Sequence, residues 1–303
     1  MTGVIVTTTI NPPTSAVKLF DSLPGWHLIV VGDLKTPDDY SLENGTYLSP
    51  EDQDKIDKTL SDLIGWNSIQ RRNLGLVLAH QMGAETVAVV DDDNIPYEGW
   101  GRDLMVGKEV EATVFTTDLP AFDPVGATNH PNLWHRGYPL QLLPRRDYSR
   151  RSTELVRADV QADFWDGDPD VDAICRMQFA PDCTFDPSLF PMAASTISPF
   201  NSQNTFLDAR WLPDYFLFPH VGRMDDIWAA YYVQARGARV VFGKASVRQE
   251  RNPHDLVIDM KREYLGYENN LRIVEAVHEE ADRLFEFLPE RTVAAFEQYR
   301  THF

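Results

Sequence analysis

Ten residues, Glu85-Thr86-Val87-Ala88-Val89-Val90-Asp91-Asp92-Asp93-Asn94, constrain this chain more than any other stretch. The apolar run from Val87 to Val90 has the continuous character of a strand buried on both faces, as in a parallel sheet. It stops abruptly at three aspartates. Side chains alternate along a strand, so Asp91 and Asp93 can project to one side. Carboxylates that close repel each other unless a cation lies between them. They are hard oxygen ligands suited to Mg2+ or Mn2+, which bind through one or two carboxylates plus substrate phosphates. Open α/β sheets take their ligands beyond the carboxyl ends of the strands. The stretch therefore predicts a metal-bridged diphosphate site. An acidic strand-to-loop turn that holds nothing is the competing reading.

The residues before it set the fold class. Val4-Ile5-Val6-Thr7-Thr8-Thr9 is β-branched throughout and predicts a first strand, which Asn11-Pro12-Pro13 breaks. A helix is expected over about 14–22, and Trp26 to Asp33 predicts a second strand ending in Gly32-Asp33. Strand, helix, strand and polar tip open a doubly wound α/β sheet. Adjacent strand ends would set Thr7, Thr8 and Thr9 beside Asp33. There they can hydrogen-bond a nucleotide base and ribose, or merely finish a strand edge and a turn. The 303 residues suffice for a large core. The net charge of -18 argues against extended contact with a nucleic-acid backbone or an anionic membrane. Cys175 and Cys183 give neither a disulfide framework nor metal-ligand spacing, which favours a reducing compartment. No signal peptide is evident and no apolar run approaches the roughly 20 residues of a membrane span, so a soluble cytoplasmic protein is expected.

Residues 35–62 are polar and predict a loop with short helical pieces. A helix follows from Asn67 or Ser68, either of which can cap it, to Gly83. Leu74, Val77, Leu78 and Met82 form its buried stripe. Arg71 and Arg72 fall in its first turns, where the helix dipole disfavours cations. They need an acidic partner, Asp33 or a loop acid, or a diphosphate, and the aspartate strand that follows favours the diphosphate. Residues 109–117 predict a strand, and 118–210 a long irregular region of the kind that is usually functional inside a compact domain. Within it Arg136 can meet an anion, and Asn201, Gln203 and Asn204 can meet hydroxyl groups, although each can equally be loop scaffolding. A helix begins at Asp225-Asp226. One cap needs one aspartate, which leaves the other free to accept a proton. A strand is expected over 238–243, and His254 can either start a helix or serve as a late metal ligand. Two or three amphipathic helices close the chain from 256 onward, and they leave room for a homo-oligomer.

Several of these motifs, taken together and in order from about 28 to 256, resemble the STELLO-type glycosyltransferase family. They are Val30-Val31-Gly32-Asp33-Leu34-Lys35-Thr36-Pro37, Arg72-Asn73-Leu74-Gly75, Asp91-Asp92-Asp93-Asn94, Arg136-Gly137-Tyr138-Pro139-Leu140, Gly167-Asp168-Pro169-Asp170-Val171-Asp172-Ala173, Asn201-Ser202-Gln203-Asn204-Thr205, Arg223-Met224-Asp225-Asp226-Ile227-Trp228 and Arg251-Asn252-Pro253-His254-Asp255. The aspartate triplet and the Arg-Gly-Tyr-Pro element are also similar to the plant reversibly glycosylated polypeptides, which act as UDP-arabinopyranose mutases. The resemblance implies a GT-A fold over 1–255, with a helical extension at 256–303, and a nucleotide-sugar donor, most simply a UDP-sugar. It implies that Asp91, Asp93 and His254 hold Mn2+ or Mg2+, with Asp92 and Arg72 at the donor and Thr7 to Thr9 and Asp33 facing its base. Asp226 or Asp225 would deprotonate the acceptor hydroxyl, and Arg136, Asn201 and Gln203 would contact the donor. The plant STELLO proteins carry a membrane anchor, and none is expected here. The expected activity is metal-dependent transfer of a sugar to a hydroxyl of a glycan, a small molecule or a modified base. The alternatives are a pyranose–furanose mutase and a binding protein without catalysis.

Overall fold

The computed structural model describes residues 3–250 and 255–303. The chain runs β1 (Gly3–Thr8), α1 (Ser15–Asp21), β2 (Trp26–Val31), β3 (Thr46–Leu48), α2 (Pro50–Ile64), α3 (Arg72–Gln81), β4 (Thr86–Val90), β5 (Asn94–Pro96) and β6 (Glu109–Phe115). It continues β7 (Arg151–Arg157), β8 (Val160–Gly167), α4 (Ala173–Phe179), β9 (Met192–Ala194), β10 (Asn204–Asp208), α5 (Asp225–Ala235), β11 (Val240–Gln249), α6 (Leu256–Glu279) and α7 (Glu290–Arg300). The strands form one mixed sheet in the order β3-β2-β1-β4-β10-β8-β11-β9-β6-β7, with β5 paired to β11. This is the expected α/β architecture of a mixed sheet with flanking helices. No helix among the described residues is long and apolar enough to cross a membrane.

Register fixes what meets at the sheet edge. β1 lies parallel between β2 and β4, with Val6 opposite both Ile29 and Val89. β10 is antiparallel to β4 and to β8, while β11 is parallel to β8. The carboxyl ends of β1, β2, β4, β8 and β11 therefore share one edge with the amino end of β10. Val4, Ile5, Val6 and Val87 to Val90 are fully buried, as the continuous apolar runs require. Helix α3 lies close against β1 and β2. A Cβ added at Gly75 would stand 2.5 Å from Val6 Cγ1, so only glycine permits that approach.

Two expectations need correction. Residues 50–64 form a helix, α2, where a loop with short pieces was expected. Ser49 and Asp52 make a capping box with Pro50 in the first turn, but Asp57 has non-helical dihedrals and divides the helix into two pieces. Residues 118–210 also contain regular structure, including three interior strands, β8, β9 and β10. β8 escapes pattern reading because buried Gln161 and Asp163 interrupt its apolar sequence. Their side chains pair with each other at 2.8 Å, and Asp163 also accepts from Ser246 Oγ at 2.7 Å, so they are tolerated inside.

Candidate active site

Two contiguous cavities open at the shared edge. The smaller, about 240 Å³, is lined by Thr8, Thr9, Asp33, Asn67, Ser68 and Asp92 among others. The larger, about 470 Å³, is lined by Asp91, Asp92, Asp93, Arg136, Gln203, Asp225, Asp226 and Gln249 among others. Asn67, Ser68, Ile69 and Asp92 belong to both walls.

The smaller cavity gathers three of the four strand-end residues expected to face a nucleoside. Asp33 accepts from the backbone amides of Asn67 at 2.9 Å and Ser68 at 3.0 Å, so it fixes the turn that leads into α3. Asn67 there has φ of 57°, a conformation that Asn tolerates better than most residues. Thr9 Oγ1 donates to Asp92 Oδ2 at 2.5 Å, and Thr14 Oγ1 donates to the Asp92 carbonyl at 2.5 Å. The middle aspartate is thus tied to the β1–α1 loop. Thr7 is fully buried, and its hydroxyl contacts the Thr8 carbonyl rather than the cavity. The alternation of β1 separates it from Thr8.

Arg71, in the turn before α3, and Arg72, its first residue, have different partners from those favoured by the sequence. Arg71 is bound to Gln53 and Ser61 of α2 and lies over the Trp66 ring, so its partner is neither an acid nor a phosphate. Arg72, 1% exposed, donates to Asp91 Oδ1 at 2.9 Å and to the Ser202 carbonyl and hydroxyl at 2.7 and 2.8 Å. It lies beneath the aspartate tip and does not line the open cavity. Burial raises the Asp91 carboxyl and Arg72 opposes the shift, while Asp92 and Asp226 add to it.

Arg136 has no donor left for a ligand anion. Its Nε and Nη2 donate to Asp170 at 2.8 and 2.9 Å, and Nη1 and Nη2 donate to Asp226, each at 3.0 Å. Its remaining Nη1 hydrogen meets the Arg223 carbonyl. The guanidinium's five donors are all used, so it acts as a post between the loop after β8 and the start of α5. Asp226 also accepts from the Ser202 amide at 3.0 Å. Asn201 Nδ2 joins the same post through Asp170 at 3.0 Å.

Neither aspartate caps α5. The cap position is Met224, reached through a tight turn at Gly222–Met224, and both aspartates fall in the first helical turn. Asp226 is held by Arg136 and Ser202. Asp225 accepts from Gln70 Nε2 at 2.6 Å. Burial and the neighbouring Asp226 push its carboxyl up to about 7. Both aspartates line the cavity, and of the pair Asp225 is the one suited to exchange a proton near neutrality. Sequence reading missed Gln70, which precedes Arg71 without any motif of its own, and Gln249. Asp170 lay within the acidic segment it noted, but its partner could not be inferred.

The charge of the larger cavity bears on a metal. Five carboxylates, Asp91, Asp92, Asp93, Asp225 and Asp226, face it with Arg136, Arg223 and Arg262. Arg136 is neutralised by Asp170 and Asp226, and Arg223 is paired with Asp259 and Glu263. A bare diphosphate would be repelled from such a wall, so the donor set suits a hard cation entering with an anion. Among the described residues no three His, Cys, Asp or Glu side chains are grouped to hold a metal ion. His254, the expected third ligand, lies outside the described residues.

No family model matches the sequence. Among curated proteins it is similar to the probable glycosyltransferases STELLO1 and STELLO2 of Arabidopsis thaliana. Each is 26% identical over 188 residues, covering 56% of this chain and 24% of the relative. The similarity expected from the motifs is therefore present, and the chain spans about a quarter of the length of those relatives. Among solved structures it is similar to glucosyl-3-phosphoglycerate synthase of Mycobacterium tuberculosis, at 12% identity, 92% and 80% coverage of the two chains and a TM-score of 0.41. It is also similar to S. aureus TarS in complex with UDP, at 14% identity, 94% and 72% coverage and a TM-score of 0.36.

Proposed function

We propose that this chain is a glycosyltransferase that moves a sugar from a nucleotide sugar, a UDP-sugar in the simplest case, to an acceptor hydroxyl. One juxtaposition carries the reading. A cleft of strand-end hydroxyls and Asp33 opens directly into a carboxylate-rich cavity, with the Asp91-Asp92-Asp93 tip at the junction. Such an arrangement suits a molecule with a nucleoside at one end, a diphosphate in the middle and a polyol beyond. The similarity to the STELLO proteins points the same way.

In this reading Thr8, Thr9 and Asp33 line the nucleoside cleft, with Asp33 also holding the turn at 67–68. Asp91 and Asp93 would hold Mn2+ or Mg2+. A bound cation supplies neutralisation of the departing diphosphate. Arg72 keeps Asp91 oriented from beneath. Asp225 takes the proton of the acceptor hydroxyl, whose oxygen forms the new bond to the anomeric carbon. The bond from that carbon to the diphosphate oxygen breaks, and the nucleoside diphosphate leaves with the bonding electrons. Asp226, fixed by Arg136, holds the first turn of α5 so that Asp225 faces the cavity.

The test is thermal unfolding with nucleoside diphosphates and nucleotide sugars, with and without Mn2+, on the wild-type chain and Asp93→Ala. A ligand at about 100 times its dissociation constant adds roughly 2.7 kcal/mol of stability. A Mn2+-dependent rise in melting temperature with one nucleotide, lost in Asp93→Ala, is expected. Stabilisation by no nucleotide, or an undiminished Mn2+-dependent shift in Asp93→Ala, would sink the proposal.

A further inference from the structure

Gln249 ends β11 in a tightly held backbone. It stands opposite Asn94 of β5 and Gly167 of β8. Its carbonyl accepts from the Asp168 amide at 3.3 Å. Gly167 has φ of 91°, and a Cβ there would lie 2.5 Å from the Gln249 carbonyl oxygen. The strands can approach this closely only with glycine at that position. Despite this fixed backbone, the Gln249 side chain is without an assigned role. It is 3% exposed, it lines the larger cavity, and its Oε1 has no hydrogen-bond partner among the described residues.

Gln203 repeats the pattern on the same cavity. It is 7% exposed and its Oε1 also lacks a partner. Asn94 connects the two positions, since it pairs with Gln249 across β5 and β11 while its Nδ2 donates to the Gln203 carbonyl at 2.7 Å. Buried side-chain oxygens without a partner are rare in folded proteins. Two of them, on neutral carboxamides, lie along this one cavity, where a ligand could supply the missing groups. Phosphate oxygens are acceptors and cannot satisfy Oε1. A hydroxyl both donates and accepts, so it can meet either end of a carboxamide.

We propose that Gln249, acting with Gln203, is a specificity-determining residue that reads hydroxyl groups of the sugar carried by the donor. The inference rests on the donor-site reading above and assigns the polyol end of that ligand to the amide-lined wall, apart from the aspartates that face the diphosphate.

The experiment compares uridine, guanosine and adenosine diphosphates with their glucose conjugates, in Mn2+, by calorimetric titration of the wild-type chain and Gln249→Leu. Gln249→Met is measured in parallel should the leucine variant fold poorly. The expected result is that the diphosphate binds the variant within about twofold of wild type, while the glucose conjugate binds roughly tenfold more weakly. Gln203→Leu should show the same split. Equal weakening of both ligands would make Gln249 a support of the whole site and overturn the assignment. Unchanged binding of both would overturn it too, while leaving the donor site intact. Binding of none of these nucleotides by the wild-type chain would overturn both proposals together, and is thereby distinguished from failure of the sugar contact alone.

Discussion

Asp225 and Asp226 are neighbours in sequence with opposite surroundings, and the difference decides which can do chemistry. Asp226 is bound bidentately by Arg136 and accepts from the Ser202 amide, so its side chain is fixed in place. Asp225 is buried beside Asp226, accepts from the Gln70 amide, and is pushed up to about 7. A base must be unprotonated to accept a proton. Turnover should therefore fall about tenfold per unit as the pH drops below about 7, while donor binding persists. Gln70 stabilises the charged form by donating to it, so Gln70→Leu should raise the carboxyl further and move the acidic limb to higher pH. A pH–rate profile of kcat reads this, and a merely structural role for Gln70 would lower the plateau without moving the limb. Asp225→Asn should reduce kcat by 10² or more with donor affinity nearly unchanged. A residual rate within a few-fold of wild type would remove Asp225 from the reaction.

At the scale of elements, the site depends on Arg136, which joins the loop after β8 to the first turn of α5. It is 5% exposed, and its partners Asp170 and Asp226 are 0% and 2% exposed. Arg136→Ala would remove the cation that two buried carboxylates share, and breaking a buried pair in this way costs about 3–5 kcal/mol. Urea unfolding should show that loss. Arg136→Lys should not restore it, because one ammonium cannot satisfy two carboxylates bidentately. A loss below 1 kcal/mol in the alanine variant would mean that the two acids find other partners. The same linkage shows what the sequence could and could not convey. The apolar run ending at Asp91 and the strand–helix–strand start were legible because local periodicity encodes buried strands and the positions of their ends. That Arg136 is a post rather than a free anion-binding group was not legible, since its partners lie 34 and 90 residues away. The same holds for the cap of α5. Two adjacent aspartates at a helix start read as a cap, and only the fold shows that a tight turn replaces it while the acids face Gln70 and Arg136.

Across the whole molecule, the cavity edge is held in place by packing on the far side of α5. The face of α5 that carries Trp228 and Tyr232 is fully buried, and Tyr232 meets Phe296 of α7 at 5.4 Å between ring centroids. Phe296 also contacts Phe216, Phe218 and Phe285 at 5.5 to 5.7 Å. Tyr299 Oη donates to the carbonyls of Leu212 and Tyr215 at 2.9 and 3.2 Å, and Thr292 Oγ1 donates to the Pro219 carbonyl at 2.7 Å. These contacts pin the 212–219 segment that leads into α5. The last helix therefore completes the core beneath α5, although nothing in its mixed-charge sequence announces that partner. Phe296→Ala would open a cavity among four rings and should cost about 3–5 kcal/mol. Because the rings form one layer with α5, the loss should appear in a single cooperative transition, with unchanged dependence on urea concentration. Turnover measured well below the melting temperature should fall less than in Asp225→Asn, since the aspartate itself is untouched. A separate early transition in this variant, with the remaining unfolding as stable as wild type, would show that α7 is an independent appendage and that α5 is anchored from the sheet alone.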